Sequence, residues 1–352
     1  MTKILITGGT GLVGQHLSKM LLNKGYEVAI LSLCKKTPNT AFLSCCKQSL
    51  TKVSSLVSNT SKALSLTLSY QRLEKKAVYL PTLPSRTKSI DNKIPVFYWD
   101  INNNIIDKEA INSSNYIIHL AGVNIAGKRW TKNQKQGIVD SRVKSTELLF
   151  NNIDPNHNLK AFISASAIGH YGAITSNHIF TETDSSADDF LGETCRLWED
   201  SANKFQNLDI RTVKIRTGLV LSKQGGALSK MIKAFKLGIG SALGSGKQYM
   251  PWIHIDDLCE IYIKAIEDSE MNGAYNAVAP EHINNIAFSE KIAKQLKKPF
   301  WALRIPEFLF KLLFGEMADI LLKGSRVSCD KIKATGYNFK YPTLKSALNN
   351  LL

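Results

Sequence analysis

No apolar run in the chain approaches the roughly 18 residues that a membrane-spanning helix needs, which excludes a transmembrane protein. Cysteine is sparse and unclustered. Cys34, Cys45, Cys46, Cys195, Cys259 and Cys329 form no CxxC pair and no CxxH, so no zinc site or redox dithiol is indicated and scattered reduced thiols are the reading. No metal site is expected. The opening MTKILITGG has neither an apolar h-region nor a small-residue cleavage site, which points to a cytoplasmic protein. Acids are scarce in one place: positions 34–93 hold eleven Lys or Arg against only Glu74 and Asp91. That stretch carries 11 − 2 = +9 of the net +16, leaving +7 on the other 292 residues. The excess is therefore local, and it is interleaved with Ser and Leu rather than with aromatics, which argues against a nucleic-acid module.

What is present is ordinary globular material, 352 residues at 44% hydrophobic and 21% charged, enough for a real core and room for two domains. KILIT (Lys3 to Thr7) reads as a strand, GGTGLVG as a turn, and Leu17, Met20, Leu21 and Leu22 as one helix stripe. A second strand follows at Glu27 to Ser32, and then about sixty residues rich in Ser, Thr, Lys and Leu break the pattern. A structureless loop of that length inside a compact domain is improbable, so 34–93 is read as a basic insertion, partly disordered, with a helix conceivable over Leu50 to Leu73. Strands at Pro95 to Asp100, Asn115 to Gly122, Lys160 to Ser166 and Asp209 to Gly218 then alternate with helices at Ile106 to Asn112, Thr131 to Asn151, Asp188 to Phe205 and Ala227 to Leu237. Such alternation predicts an α/β fold, a Rossmann-type doubly wound parallel sheet. The organisation expected is a dinucleotide-binding domain over 1–237, interrupted by the insertion, and a smaller, mainly helical domain over 238–352. Helix Asp256 to Asp268 would be capped by Asp256 and Asp257, while Trp130, Trp198 and Trp252 read as core or pocket wall.

Gly8, Gly11 and Gly14 carry the chemistry most legibly. They follow a strand and open a helix. The first glycine permits the tight turn, the second lets backbone approach a pyrophosphate, and the third allows close packing of helix on strand, with the phosphates at the positive helix end. Which dinucleotide is bound depends on the end of the second strand, where an acid would bond the ribose hydroxyls of NAD. The positions there are Ser32, Leu33, Cys34, Lys35 and Lys36. With no acid present and lysines able to meet a 2′-phosphate, NADP(H) is preferred over NAD(H).

TGGTGLVG, Asp100-Ile101, HLAG at 119–122, SAS at 164–166 with YG at 171–172, and PWIHIDDL at 251–258 resemble the extended short-chain dehydrogenase/reductase superfamily, the NAD-dependent epimerase/dehydratases. KRWT at 128–131, SR at 141–142, SASAIGHYG, RTGLVLSKQGGAL and GSGKQYMPWIHIDD are similar to its atypical YfcH-like "epimerase family" branch, whose C-terminal domain has no assigned function. The likeness covers nearly the whole chain except 34–93. It implies a Rossmann fold, a nicotinamide cofactor, and a site between the sheet edge and the C-terminal domain. By position it hands Gly8, Gly11, Gly14 and the backbone of Thr10, Leu12 and Val13 to the pyrophosphate, and Asp100 and Ile101 to the adenine. Leu120, Ala121 and Gly122 go to the ribose and nicotinamide side, and Ser166 falls where the superfamily places its catalytic serine.

The superfamily's YxxxK pair is missing. Taking Glu199 as the helix glutamate that often follows the pair puts Leu191 where tyrosine is expected and Cys195 where lysine is expected. A leucine has no proton to transfer, and a neutral thiol supplies no positive charge. Ser166 polarising a carbonyl, with Tyr171 or a basic residue handling the proton, is the chemistry left, although a YG at this place in extended members is usually structural. Lys128 and Arg129, just past the HLAG turn, are candidates for holding an anionic or planar substrate, set against a merely solvated loop.

These observations support an NADP(H)-dependent oxidoreductase or epimerase-like enzyme that acts on an unidentified small molecule by hydride transfer. The alternative is a noncatalytic nucleotide-binding sensor or interaction protein, in line with resembling proteins of cyanobacteria and chloroplasts that are associated with cell division. A third reading is a protein disabled by its insertion. The expected partner is a small molecule, with no nucleic acid and no membrane, and a homodimer is left open as the assembly.

Overall fold

The local pattern of β-branched strands and amphipathic helices builds one eight-stranded sheet. The computed structural model describes residues 1–33 and 94–352, with the backbone alone for 301–305. The insertion, Lys35 and the helix at Leu50 to Leu73 lie outside the described residues. Met1–Leu33 and Phe97–Leu352 form one compact unit.

Strands β1 (Lys3–Thr7), β2 (Glu27–Ser32), β5 (Tyr116–His119), β6 (Ala161–Ala167), β8 (Arg211–Thr217) and β12 (Gly273–Ala277) run parallel, while the short strands β7 (Ile179–Phe180), β9 (Leu219–Leu221), β10 (Ser241–Leu243) and β11 (Trp252–His254) pair outside this sheet. At one edge β4 (Ile105–Ile106) pairs antiparallel with β3 (Val96–Asp100), which completes the order β12-β8-β6-β5-β1-β2-β3-β4. The order turns back at β1, so the carboxyl ends of β1 and β5 flank the crevice where ligands bind in such sheets.

Helices cover the sheet. Leu17 and Leu21 of α1 (Leu12–Asn23) are buried, and α1 packs against the helix Ile255–Glu267. The long helix Lys132–Phe150 packs against Phe190–Asn203. In chain order the helices after α1 are α2 (Lys108–Asn112), α3 (Lys132–Phe150), α4 (Phe190–Asn203), α5 (Gly226–Lys236) and α6 (Ile255–Glu267). One core gathers Leu5, Leu31, Ile117, Leu149, Phe162 and Phe205, with the last two rings stacked at 3.7 Å. Each such fully buried side chain contributes about 1.5–3 kcal/mol. A second core joins Leu228 and Phe235 of α5 to Trp252, Phe288 and Leu344. The residues beyond β12 are mainly helical, although β12 and α6, both past position 237, belong to the main sheet and its cover.

The expected capping of α6 by Asp256 and Asp257 is not what the fold shows. Asp256 and Asp257 lie inside the first turn of α6, and the cap is His254, whose Nδ1 accepts the Asp256 amide at 3.0 Å. Asp257 instead is buried and receives Tyr337 Oη and the amides of Lys340 and Tyr341, tying the C-terminal segment to α6. Trp198 and Trp252 are buried, and Trp130 is half-buried.

Candidate functional site

β1 delivers the chain into a turn that only glycine can make. Gly8 has φ +69°, and a Cβ there would stand 2.8 Å from the carbonyl carbon of Leu120. At Gly14 a Cβ would lie 2.5 Å from the Gly8 carbonyl oxygen. The first turn of α1 is therefore pressed onto β1, and the Gly8 turn onto Leu120 and Ala121. Gly11 is the N-cap of α1 with no side-chain acceptor, and no acid occupies the first turn. The amides after Gly11, with the helix dipole behind them, fit a pyrophosphate. Thr10 is exposed, its carbonyl accepting Gln15 Nε2. Gly8, Thr10, Gly11, Leu12, Val13, Gly14, Leu120, Ala121 and Gly122 are thus gathered at one sheet end.

His119 stands behind this turn, in a part that no local sequence pattern signals. Its ring is fully buried, with Nδ1 2.7 Å from Thr7 Oγ1 and Nε2 3.0 Å from Ser145 Oγ, so β1, β5 and α3 are tied through one imidazole. Thr7 Oγ1 also accepts the Ala121 amide. Burial, then the nearby Arg142 charge, push the His119 pKa down to about 3, so the ring is neutral.

Asp100 and Ile101 end β3. Asp100 accepts the amides of Asn102 and Asn103, which fixes the turn, and Ile101 packs against the first core.

Ser166 and Tyr171 meet in one buried network. Ser166 Oγ donates to Glu199 Oε1 at 2.7 Å, and Arg216 grips the same carboxylate with two bonds, Nε to Oε1 at 2.8 Å and Nη2 to Oε2 at 2.9 Å. Arg216 Nη1 donates to Tyr171 Oη, which donates in turn to Asn276 Oδ1 at 2.7 Å. Strands β6, β8 and β12 and helix α4 are thereby joined. Burial raises the Glu199 carboxyl, but the hydrogen bonds and charge of Arg216 outweigh it and hold the group below its ordinary range. Burial also lifts the Tyr171 phenol to about 12, against the Arg216 charge, so it stays protonated at neutral pH. The Nδ1 of His170 and Nδ2 of Asn276 are buried in this cluster without hydrogen-bond partners.

The face of α4 that would carry the missing acid/base pair is closed. Leu191 and Cys195 are buried, and a Cβ on Gly169 would touch both at 3.5 Å. Burial, then the Glu199 charge, raise the Cys195 thiol to about 12, so it is neutral. Lys128 and Arg129 occupy an exposed loop, Arg129 lying against Gly315 and the Trp130 indole bonding the Ile125 carbonyl. They are not brought to the Ser166 network by any hydrogen bond or ion pair among the described residues. The Glu199–Arg216 pair was the main omission from the sequence reading. Its signal is weak, because Arg216 is one of three basic residues in the β8 strand RTVKIRT, the one that the fold buries.

The sequence pattern of the NAD dependent epimerase/dehydratase family matches residues 4–65 and 69–278, and that of a domain of unknown function, DUF1731, matches 305–351. The chain is 30% identical over 351 residues to the epimerase family protein YfhF of Bacillus subtilis, covering 99% of this chain and 97% of that one. It is 36% identical over 248 residues to the chloroplastic epimerase family protein SDR39U1 homolog of Arabidopsis thaliana, covering 70% of each. Among solved structures, the human epimerase family protein SDR39U1 with NADPH superposes with a TM-score of 0.73 at 26% identity, covering 99% of both chains.

Proposed function

Because the chain belongs to the NAD dependent epimerase/dehydratase family, we propose that it is an NADP(H)-binding oxidoreductase or epimerase-like enzyme acting on a small molecule by hydride transfer. The observation that carries this reading is the α1 N-terminus, left without side-chain cap or acid beside a glycine turn whose Cβ positions are filled by neighbouring backbone. A similar protein, human SDR39U1, is described with NADPH. A bound nicotinamide would supply or accept the hydride. Gly8, Gly11, Gly14 and the amides of Thr10, Leu12 and Val13 hold the pyrophosphate, Asp100 and Ile101 flank the adenine, and Leu120, Ala121 and Gly122 line the nicotinamide side. NADP(H) is preferred because β2 ends at Ser32 with no acid following, and Lys35 supplies charge for the 2′-phosphate.

The chain's own groups set what proton chemistry is open. The Ser166 hydrogen is committed to Glu199 and the Tyr171 hydrogen to Asn276, so either hydroxyl donates to a substrate only by giving up that bond, and Tyr171 stays protonated at neutral pH. Lys128 and Arg129 form the basic side of the substrate region. A noncatalytic sensor remains the second reading, favoured by the closed face of α4 at Leu191 and Cys195. The two readings separate by turnover. Offered a panel of small carbonyl compounds, the protein is expected to consume NADPH, with kcat reduced about a hundredfold in Ser166→Ala. Tight NADPH binding with no consumption across the panel would select the sensor.

A further inference from the structure

Arg142, in the middle of α3, is a cation whose protein contacts are all uncharged. Nη1 donates to the Ile138 carbonyl at 2.8 Å and to Ser141 Oγ at 3.5 Å, and Nη2 donates to the Val123 carbonyl at 3.2 Å. Its Cζ lies 4.9 Å from the centre of the Trp198 ring. Among the described residues no carboxylate pairs with it, and burial lowers its pKa from the ordinary arginine value. The Cys195 thiol beside it is neutral and so provides no counter-charge.

This guanidinium is held against the turn that leaves β5. Ser141 Oγ accepts the Val123 amide at 3.0 Å while Arg142 takes the Val123 carbonyl, so both polar groups of that peptide position are bound by α3. A Cβ on Gly122 would stand 3.3 Å from Arg142 Cζ, which makes the glycine the opening through which the guanidinium reaches the turn. A guanidinium has five N–H groups, and three donate to the oxygens named; Nε–H and one Nη2–H remain for a ligand. A half-buried cation with neutral partners and open donors is costly unless something with oxygen acceptors completes it. Its place, beside Gly122 after the carboxyl end of β5, borders the switch-point crevice where a dinucleotide would lie.

We propose that Arg142 binds the nicotinamide-side ribose of the cofactor, its open N–H groups donating to the ribose hydroxyls. The positive charge that the resemblance expects from a lysine on α4, where Cys195 stands, comes instead from α3. This inference rests on the cofactor reading and adds a residue to it.

The test compares two probes on the same variants by calorimetry: NADPH, and adenosine 2′,5′-bisphosphate, which lacks the second ribose. In Arg142→Gln the Kd for NADPH is expected to rise about tenfold or more while that for the bisphosphate stays within about twofold. Arg142→Lys, which keeps the charge but not the planar fork, is expected to lose NADPH affinity by a smaller factor and guards against a Gln variant that fails to fold. Parallel weakening of both probes would make Arg142 a scaffold residue and overturn the proposal, as would unchanged NADPH affinity in the folded variants. A wild-type protein that binds neither probe would instead bring down the cofactor reading itself, and the assignment with it.

Discussion

His119 fixes how the turn after β5 responds to acid. Its ordinary pKa is 6.5, and in the folded protein it falls to about 3, so between those values the unfolded chain takes up a proton that the folded chain refuses. The stability this residue lends is complete above pH 6.5 and is lost as pH falls toward 3. The loss is at most about 1.4 kcal/mol per pH unit, or about 1.5 kcal/mol between pH 6.5 and 5. His170 and His254 are lowered by burial in the same direction, so the full slope belongs to several groups. Urea unfolding of His119→Gln at pH 6.5 and pH 5 should therefore show a smaller acid loss than the wild type, on top of a lower overall stability. An unchanged difference between the two pH values would mean that the buried imidazole does not govern that window. No periodicity in HLAG marked this ring as buried, because its partners Thr7 and Ser145 are distant in sequence and meet it only once β1, β5 and α3 are assembled.

At the scale of elements, α4 combines locally encoded features with contacts that only the assembled sheet creates. Its existence was legible from spacing, and Asp189 as N-cap, accepting the Gly192 amide at 2.9 Å, is a local signal. What α4 does was less legible. Glu199 points at Arg216 of β8 and Ser166 of β6, a three-element contact that no single window contains. Breaking that pair from one side leaves a buried charge without its partner, which is far worse than removing both. Arg216→Met is expected to destabilise the fold by about 3–5 kcal/mol, with Glu199→Gln added to it recovering a substantial part. Thermal unfolding of the single and double variants checks this, and a double variant no more stable than Arg216→Met would show that the carboxylate carries no such cost. The cap of α6 was misread for a related reason: Asp is a common cap, but His254 sits one position before the first helical residue and its ring reaches the Asp256 amide.

Across the whole molecule, the sequence made the βαβ order and the glycine turn readable because each depends on neighbours in the chain: strand, turn and helix occur within Lys3–Asn23. The assignments of Gly8 and Gly14 also have a steric reason in the fold, since backbone fills the space a side chain would need. Nothing in the SR pair at 141–142 signals a role for Arg142, because its environment is made by Gly122, Val123 and Trp198 from two other segments. The basic character of the chain is concentrated at 34–93, so net charge says little about the site beyond Lys35.

The central claim is that this crevice holds a nicotinamide dinucleotide with its pyrophosphate on the α1 N-terminus, and calorimetric titration of the wild type and Gly11→Val with NADPH and NADH tests it most directly. A Cβ at Gly11 already meets the Gly8 carbonyl oxygen at 3.2 Å, and the larger valine would intrude on the phosphate position. The expected result is NADPH binding tighter than NADH in the wild type and loss of at least about a hundredfold in the variant, equivalent to about 2.7 kcal/mol. Failure of the wild type to bind either dinucleotide, or equal affinity in Gly11→Val, would contradict it.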